Sequence, residues 1–274
     1  MVKLVSMDLD ETLLSSNKVM TTSFKSFVEK LRSHGIIPVI ATGREFFMAN
    51  KFVGDVDIDL ICNNGNVIRN NLSGKTTYVN PIEKKDLLDI MSFDKSDEIY
   101  ASIHVLRDDG IDLLYRLKAP QKYENTYVDV FRDRNLGIKN FDNFDGEPLS
   151  IVFAGQYDVL KEFKDILDKN FSNRFNIHLM KIKNKPYWML EVLQKNGDKL
   201  YGVEKYALSK NINMDSVIAI GDDSNDKLLI ENSSIGIAMK NGVEELKKVA
   251  DIISDFDNDN DGAVKILNKV IFGW

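Results

Sequence analysis

The chain has 274 residues, a formal net charge of −6 at pH 7 and 43% hydrophobic residues. This length and composition predict a globular protein with one large core or two modest ones. The acidic balance, without a basic stripe, argues against a nucleic-acid partner, and no apolar run approaches the length of a membrane span.

The cysteine content and the first residues of the sequence indicate the cellular compartment of the protein. The only cysteine, Cys62, excludes an intramolecular disulfide and favours a reducing compartment. The apolar run at residues 4–7 is far shorter than the apolar region of a signal peptide. We therefore expect a cytoplasmic protein with no membrane partner.

The first predicted strand, residues 4–7, leads directly into two carboxylates, Asp8 and Asp10. Alternate residues of a strand share a face, so both acids can point into one crevice as the strand leaves the sheet. Two acids in one crevice repel each other unless a cation lies between them. The pattern therefore predicts an active centre that binds a cation.

A predicted helix and a second strand follow. Apolar residues recur at helical spacing from Phe24 to Leu31, and the apolar run at residues 36–40 then leads to Thr42 and Gly43. This order is typical of a parallel sheet covered on both faces, with its binding sites beyond the carboxyl ends of the strands. We expect Thr42 and Gly43 to lie beside the two acids.

The sequence pattern changes after Pro81. Short alternating stretches surround a predicted helix at residues 158–170, which indicates an inserted α+β domain. A strand predicted at residues 187–193 is expected to resume the first domain. The predicted domains are a discontinuous core, residues 1–81 and 187–274, and an insertion, residues 82–186.

A second acidic cluster follows the short apolar run at residues 217–220. Carboxylates about 4 Å apart repel by about 4 kcal/mol at an effective dielectric of about 20, so a convergent set needs a divalent ion or protonation. Oxygen ligands without a nearby His or Cys favour Mg²⁺ over zinc. The carboxylates that could converge are Asp8, Asp10, Asp222 and Asp226.

A phosphorylated substrate would complete such a site, because Mg²⁺ commonly binds carboxylates together with phosphate oxygens. Thr42 offers a hydroxyl, and the Gly43 N–H is accessible because glycine has no side chain. Lys199 follows Asp198, a plausible N-cap, so it lies where a helix begins.

Four motifs follow one another along the chain: residues 8–12, residues 41–44, Lys199 and residues 221–226. Together and in this order, they make the sequence similar to the haloacid dehalogenase superfamily. Within it, the chain resembles the Cof-like branch of sugar-phosphate phosphatases with a large inserted cap, and Asn64-Gly65 looks like a lesser landmark of that branch. Leu200 follows Lys199 at a position where the family usually has glycine. Lys195 therefore remains the alternative lysine for the third motif.

The resemblance implies a fold: a Rossmann-like, mainly parallel sheet with helices on both faces and an inserted α+β cap that selects the substrate. It also implies chemistry. Asp8 would attack phosphorus to form an aspartyl-phosphate, and Asp10 would protonate the leaving alkoxide and then activate water.

The remaining implied roles concern binding. Mg²⁺ would be held by Asp8, the Asp10 backbone carbonyl and Asp222, with Asp226 supporting the water shell of the metal. The phosphoryl group of a small phosphorylated metabolite would be held by Thr42, Gly43, Lys199 and Asn225.

Two other functions stay open. A phosphomutase or phosphotransferase would use the same intermediate but deliver the phosphoryl group to a second hydroxyl. A non-catalytic sensor would bind phosphate ligands, although binding alone needs no nucleophile at Asp8. Arg44 is left outside the catalytic set, since it either reaches toward the substrate or pairs with a surface acid.

Overall fold

A computed structural model describes residues 1–94, 96–117, 127–171, 173–182 and 185–273, and two separate sheets lie within these ranges. Each sheet belongs to its own unit of the chain. The first unit is Met1–Val79 with Asp198–Trp274, and the second is Asn80–Gly197.

The first sheet is built from two distant parts of the chain. Its strands are β1 (Leu4–Met7), β2 (Ile37–Ala41), β3 (Asp59–Cys62), β4 (Val67–Asn70), β5 (Thr76–Val79), β12 (Val217–Gly221), β13 (Ile235–Ala238) and β14 (Ile252–Ile253). Their order is β14-β13-β12-β1-β2-β3-β4-β5. Neighbours from β14 to β3 are parallel, and β4 and β5 add antiparallel pairs at one edge.

The strands of this sheet are apolar because both faces are covered. Leu4 and Val39 join a core cluster with residues of the helix at 199–209, whereas Val5 and Met7, on the opposite face, are also fully buried. The helices of this unit are α1 (Phe24–Ser33), α2 (Phe46–Val53), α5 (Lys199–Ser209), α6 (Lys227–Glu231), α7 (Glu244–Lys247) and α8 (Gly262–Phe272).

The second unit is an α+β arrangement around a mainly antiparallel sheet. Its strands are β6 (Tyr100–Leu106), β7 (Leu113–Arg116), β8 (Asn135–Ile138), β9 (Glu147–Gly155), β10 (Phe175–Lys181) and β11 (Trp188–Gln194), in the order β10-β11-β9-β6-β7-β8. Two helices, α3 (Lys84–Phe93) and α4 (Tyr157–Asn170), bury Leu87 and Leu160 in one cluster with Ile151 and Phe153 of β9.

The predicted return to the core at residue 187 is wrong. β11 pairs antiparallel with β9 and with β10, and Leu190 and Val192 belong to the cluster beneath α3 and α4. The first unit resumes only at Asp198. A buried strand produces the same apolar run in either sheet, so the sequence pattern could not assign this strand to one of them.

The predicted fold class is confirmed: a mainly parallel α/β core carries an inserted α+β domain. Among the helices in the described ranges, none combines the length and the apolar character needed to cross a bilayer.

Candidate active site

The carboxyl ends of three neighbouring parallel strands bring the predicted site residues to one edge of the first sheet. Asp8 directly follows β1, Thr42 follows β2 and Asp222 follows β12. The Asp8 N–H still donates to the Ile220 carbonyl at 2.9 Å, so the sheet itself fixes the start of the loop. A cavity of about 400 Å³ opens at this edge, and its lining includes Asp8, Asp10, Thr42, Gly43, Arg44, Asp222 and Asn225.

Lys199 joins the first and fourth motifs. Its Nζ lies 2.5 Å from Asp8 Oδ1 and 2.6 Å from Asp226 Oδ1, and only 2% of its side chain is exposed. Burial favours the neutral amine, but Asp226 and Asp8 outweigh it and hold the pKa of Lys199 above its ordinary value. The lysine is therefore a charged group inside the site.

Two glycines allow α5 to place Lys199 there. A Cβ added to Gly202 would lie 2.5 Å from Gly65 Cα, and one added to Gly65, whose φ is +97°, would lie 2.2 Å from the Asp198 carbonyl. Asp198 caps the helix, since its Oδ1 accepts the Tyr201 N–H at 2.8 Å. The start of the helix thus lies directly against the turn that follows β3.

The contacts of Lys199 help to decide between Lys199 and Lys195 as the lysine of the third motif. Lys199 contacts Asp8, whereas Lys195 belongs to the second unit and is exposed. Leu200, at the position where the family usually has glycine, packs against the core cluster of the first unit without displacing Lys199.

Asp226 organises the loop after β12. Its Oδ2 accepts the N–H groups of Asp222 and Asp223, both at 3.1 Å, while its Oδ1 faces Lys199. A Cβ added to Gly221 would lie 2.3 Å from Asp226 Cγ, so only glycine leaves room for this carboxylate. Both oxygens of Asp226 are therefore occupied by N–H donors.

Ionisation of both Asp8 and Asp222 would place negative charge in the site that the protein does not fully neutralise. Burial raises the pKa of Asp222 to about 8, with further contributions from Asp8 and Asp226, although the Thr12 hydroxyl donates to Asp222 Oδ1 at 3.1 Å. Burial likewise raises the pKa of Asp8 to about 6 despite the attraction of Lys199. Such a site favours a bound cation or a proton.

The donor set fits Mg²⁺. Asp8, Asp222 and Asp226 each offer a carboxylate oxygen, and these atoms all lie within 4.8 Å of one another. Oxygen-only donors suit a hard divalent cation better than zinc. Because both Asp226 oxygens already accept hydrogen bonds, Asp8 and Asp222 are the carboxylates better able to bind the ion.

Three of the predicted phosphate-binding residues, Thr42, Gly43 and Asn225, line the same cavity as Asp8. A Cβ on Gly43 would lie 3.1 Å from Asn64 Oδ1 and 3.5 Å from Asn225 Nδ2. Asn225 Nδ2 donates to Asn64 Oδ1 at 3.1 Å, so Asn64 orients Asn225. Thr42 is buried, and its hydroxyl oxygen accepts the Arg44 N–H at 3.1 Å.

Asp10 is held by residues that the sequence analysis left outside the site. Arg44 Nε lies 2.5 Å from Asp10 Oδ2, Arg44 Nη2 lies 2.7 Å from Oδ1, and Lys18 Nζ lies 3.0 Å from Oδ1. Burial opposes ionisation of Asp10, but Arg44 and Lys18 lower its pKa. Arg44 thus pairs with an acid of the site itself, and its place two residues after Thr42 was the one signal in the sequence.

A family model described as haloacid dehalogenase-like hydrolase matches residues 5–267. The chain belongs to this family, and the predicted enzyme class is confirmed as a hydrolase of haloacid dehalogenase type. The match covers most of both parts of the first unit and the whole of the second.

Curated relatives match over almost the full chain. Phosphatase YwpJ of Bacillus subtilis is 24% identical and covers 98% of this chain and 100% of the relative. Another relative from Bacillus subtilis, 5-amino-6-(5-phospho-D-ribitylamino)uracil phosphatase YwtE, is 24% identical over 99% of each chain.

Solved structures show the same fold. A haloacid dehalogenase-like hydrolase from B. subtilis superposes with a TM-score of 0.78 at 20% identity, covering 98% of this chain and 100% of that one. One from Bacteroides thetaiotaomicron gives a TM-score of 0.76 at 21% identity, with 99% and 100% covered.

Proposed function

We propose that the protein is a Mg²⁺-dependent phosphatase that hydrolyses small phosphomonoesters, sugar phosphates in particular, through an aspartyl-phosphate on Asp8. One observation carries the proposal: the Lys199 ammonium contacts Asp8 at 2.5 Å and Asp226 at 2.6 Å in a buried position. A buried cation beside a carboxylate nucleophile is suited to a dianionic phosphoryl group, because it compensates charge as that group is transferred.

Asp8 and Asp222 would hold the metal by their side chains and Asp10 by its backbone carbonyl, with Asp226 fixing the surrounding loop. When bound, Mg²⁺ would neutralise these carboxylates and draw negative charge from the phosphoryl oxygens. The oxygen-only donor set and the raised pKa values of Asp8 and Asp222 support this assignment.

In the first half-reaction, Thr42, Gly43, Lys199 and Asn225 hold the phosphoryl group while a carboxylate oxygen of Asp8 attacks phosphorus. The new bond joins Asp8 to phosphorus, and the bond from phosphorus to the alcohol oxygen breaks. Asp10 must enter this step protonated, against the Arg44 and Lys18 contacts that lower its pKa, and it donates that proton to the departing alkoxide, so the alcohol leaves neutral.

In the second half-reaction, Asp10 is a carboxylate and takes a proton from water. The water oxygen attacks phosphorus, the bond to Asp8 breaks, and inorganic phosphate leaves. Asp8 returns as a carboxylate and Asp10 carries the proton needed for the next cycle. The same pair of residues therefore serves both steps.

The substrate proposal has its own support. The name of YwtE specifies a phosphorylated ribityl chain, which is a sugar-alcohol phosphomonoester. We propose a substrate of similar size here, selected by the second unit, residues 80–197. The cytoplasmic location and the absence of a nucleic-acid partner stay predictions.

The test is phosphate release from a panel of phosphorylated sugars by the purified protein with Mg²⁺, compared with Asp8→Asn. We expect turnover that requires the metal and is lost in the variant, which should stay folded by circular dichroism. Turnover by Asp8→Asn at the wild-type rate would refute the nucleophile. Isomerised sugar phosphate without free phosphate would indicate a mutase, and tight binding without turnover would indicate a sensor.

A further inference from the structure

Arg44 is a charged residue of the active site to which the proposed mechanism gives no role. Its guanidinium donates to both oxygens of Asp10, from Nε to Oδ2 at 2.5 Å and from Nη2 to Oδ1 at 2.7 Å. Two parallel hydrogen bonds fix both the plane and the rotation of a carboxylate, which a single bond does not.

Arg44 is itself held in place. Its guanidinium carbon lies 4.9 Å from the centroid of the Phe52 ring, and its carbonyl accepts the Asn63 N–H at 2.8 Å. Its own N–H donates to the Thr42 hydroxyl oxygen at 3.1 Å. The residue that orients Asp10 is therefore fixed to the same loop that carries the predicted phosphate-binding threonine.

Lys18 contacts Asp10 differently. It makes one bond to Asp10 Oδ1 at 3.0 Å and a closer one to Glu11 Oε1 at 2.7 Å, and its side chain is 40% exposed. A flexible ammonium shared between two acids supplies charge but little orientation. Of the two cations that contact Asp10 within the described residues, Arg44 is the one with the geometry to align it.

We infer that Arg44 is a positioning residue for Asp10. The two N–H donors of its guanidinium hold the Asp10 carboxyl in one orientation. From that orientation Asp10 passes a proton to the leaving oxygen and takes one from water. The inference rests on the proposed function, since the orientation of Asp10 matters only if Asp10 transfers protons. Misplacing a catalytic group by about 1 Å can cost about 10²-fold in rate.

Two substitutions separate orientation from charge. Arg44→Lys keeps the positive charge but loses the paired N–H donors, and Arg44→Met removes both the charge and the donors. The matched control is Arg69→Met: the Arg69 guanidinium also lies on a phenylalanine ring, 4.5 Å from the Phe46 centroid, but it donates to the Gly74 carbonyl.

The readout is kcat/KM for two esters, the best alkyl monophosphate of the wild-type panel and 4-nitrophenyl phosphate. This parameter reports the steps up to departure of the leaving group. An alkoxide needs a proton from Asp10 to leave, whereas nitrophenolate leaves without one. Loss of alignment should therefore affect the alkyl ester selectively.

We expect both Arg44 variants to lower kcat/KM for the alkyl ester by about tenfold or more, and for the aryl ester by less than about threefold. Arg69→Met should match the wild type on both. In an Asp10→Asn background, Arg44→Met should have almost no further effect, because the group that it positions no longer transfers protons.

Three results would overturn the inference. They are a wild-type alkyl kcat/KM in Arg44→Lys, equal losses on both esters in the Arg44 variants, and an undiminished Arg44→Met effect in the Asp10→Asn background. Thermal denaturation identifies an unfolded Arg44→Met, in which case Arg44→Lys decides alone. A wild-type protein that hydrolyses neither ester would instead overturn the proposed function.

Discussion

The candidate active site contains an inner group of three charged side chains, Lys199, Asp8 and Asp226, and an outer pair, Asp10 and Arg44, which the chain builds in different ways. The side chains of Lys199, Asp8 and Asp226 are 2%, 6% and 2% exposed, whereas those of Asp10 and Arg44 are 33% and 23% exposed. Burial strengthens an ion pair but makes an unpaired charge expensive. The inner group is therefore part of the fold as well as of the candidate site, and we expect changes to the outer pair to cost less stability.

Asp8 and Asp10 also differ in pKa. Burial raises the pKa of Asp8 to about 6, although Lys199 acts against it. At Asp10 burial also opposes ionisation, but there the attraction of Arg44 and Lys18 is stronger and lowers the pKa. Two residues of one loop thus acquire different properties from their partners, and this difference can be tested.

The largest expected effect follows from removing the inner cation. Lys199→Ala leaves Asp8 and Asp226 buried without their partner, so we expect the free energy of unfolding to fall by about 3 kcal/mol. Turnover should fall by about 10³-fold, since charge compensation for the phosphoryl group is lost. Steady-state kinetics and chemical denaturation measure the two effects.

Lys195→Ala is the matched control. Lys195 is an exposed lysine four residues earlier in the chain, and its variant should keep wild-type stability and turnover within about twofold. A larger loss of turnover in Lys195→Ala than in Lys199→Ala would reverse the assignment of the third motif.

A second prediction concerns pH and Mg²⁺. The folded-state pKa values of Asp8, about 6, and Asp222, about 8, lie above the unfolded value of 3.8, so the folded state binds more protons between these limits. The stability contributed by these groups is complete below pH 3.8 and is lost as pH rises toward 8. A bound cation removes the free-energy cost of ionising these two carboxylates in the folded state. The increase in melting temperature caused by Mg²⁺ should therefore be larger at pH 8 than at pH 5.

Thermal denaturation in Mg²⁺ and in chelator, at both pH values, measures this increase. Asp222→Asn removes the group with the higher pKa, so the variant should show a smaller Mg²⁺ effect and a turnover lower by about 10²-fold. Its metal-free form should melt above the wild type at pH 8, by about 2 °C or more. An equal Mg²⁺ effect at both pH values would contradict the assignment of these carboxylates to the metal.

The convergence of three candidate site residues could be predicted from local sequence pattern. Asp8, Thr42 and Asp222 each end a short apolar run, and parallel strands place such ends at one edge. The pairing of Arg44 with Asp10 was missed, because it depends on side-chain directions after two strands have been placed side by side. The assignment of the strand at 188–194 was wrong for a related reason: its apolar run fits either sheet.

The close approach of Gly65 and Gly202 was also invisible in the sequence. Each glycine alone is compatible with a turn or a helix, and only their contact shows why neither position has room for a side chain. The positions hardest to predict are thus those where two distant segments meet, and the placement of Lys199 depends on one of them.

Gly202→Ala tests this placement and should have the smallest effect of the three. The added Cβ would lie 2.5 Å from Gly65 Cα and 2.6 Å from Ile61 Cγ2, so α5 must shift. We expect a loss of about 1–3 kcal/mol in stability and about tenfold in turnover, measured against Glu204→Ala on the exposed face of the same helix. Moving Lys199 weakens phosphoryl binding for every ester, so kcat/KM should fall equally for alkyl and aryl substrates, unlike in the Arg44 variants. A selective loss of kcat/KM on the alkyl ester in Gly202→Ala would mean that the inner group around Lys199 and the outer pair do not act independently.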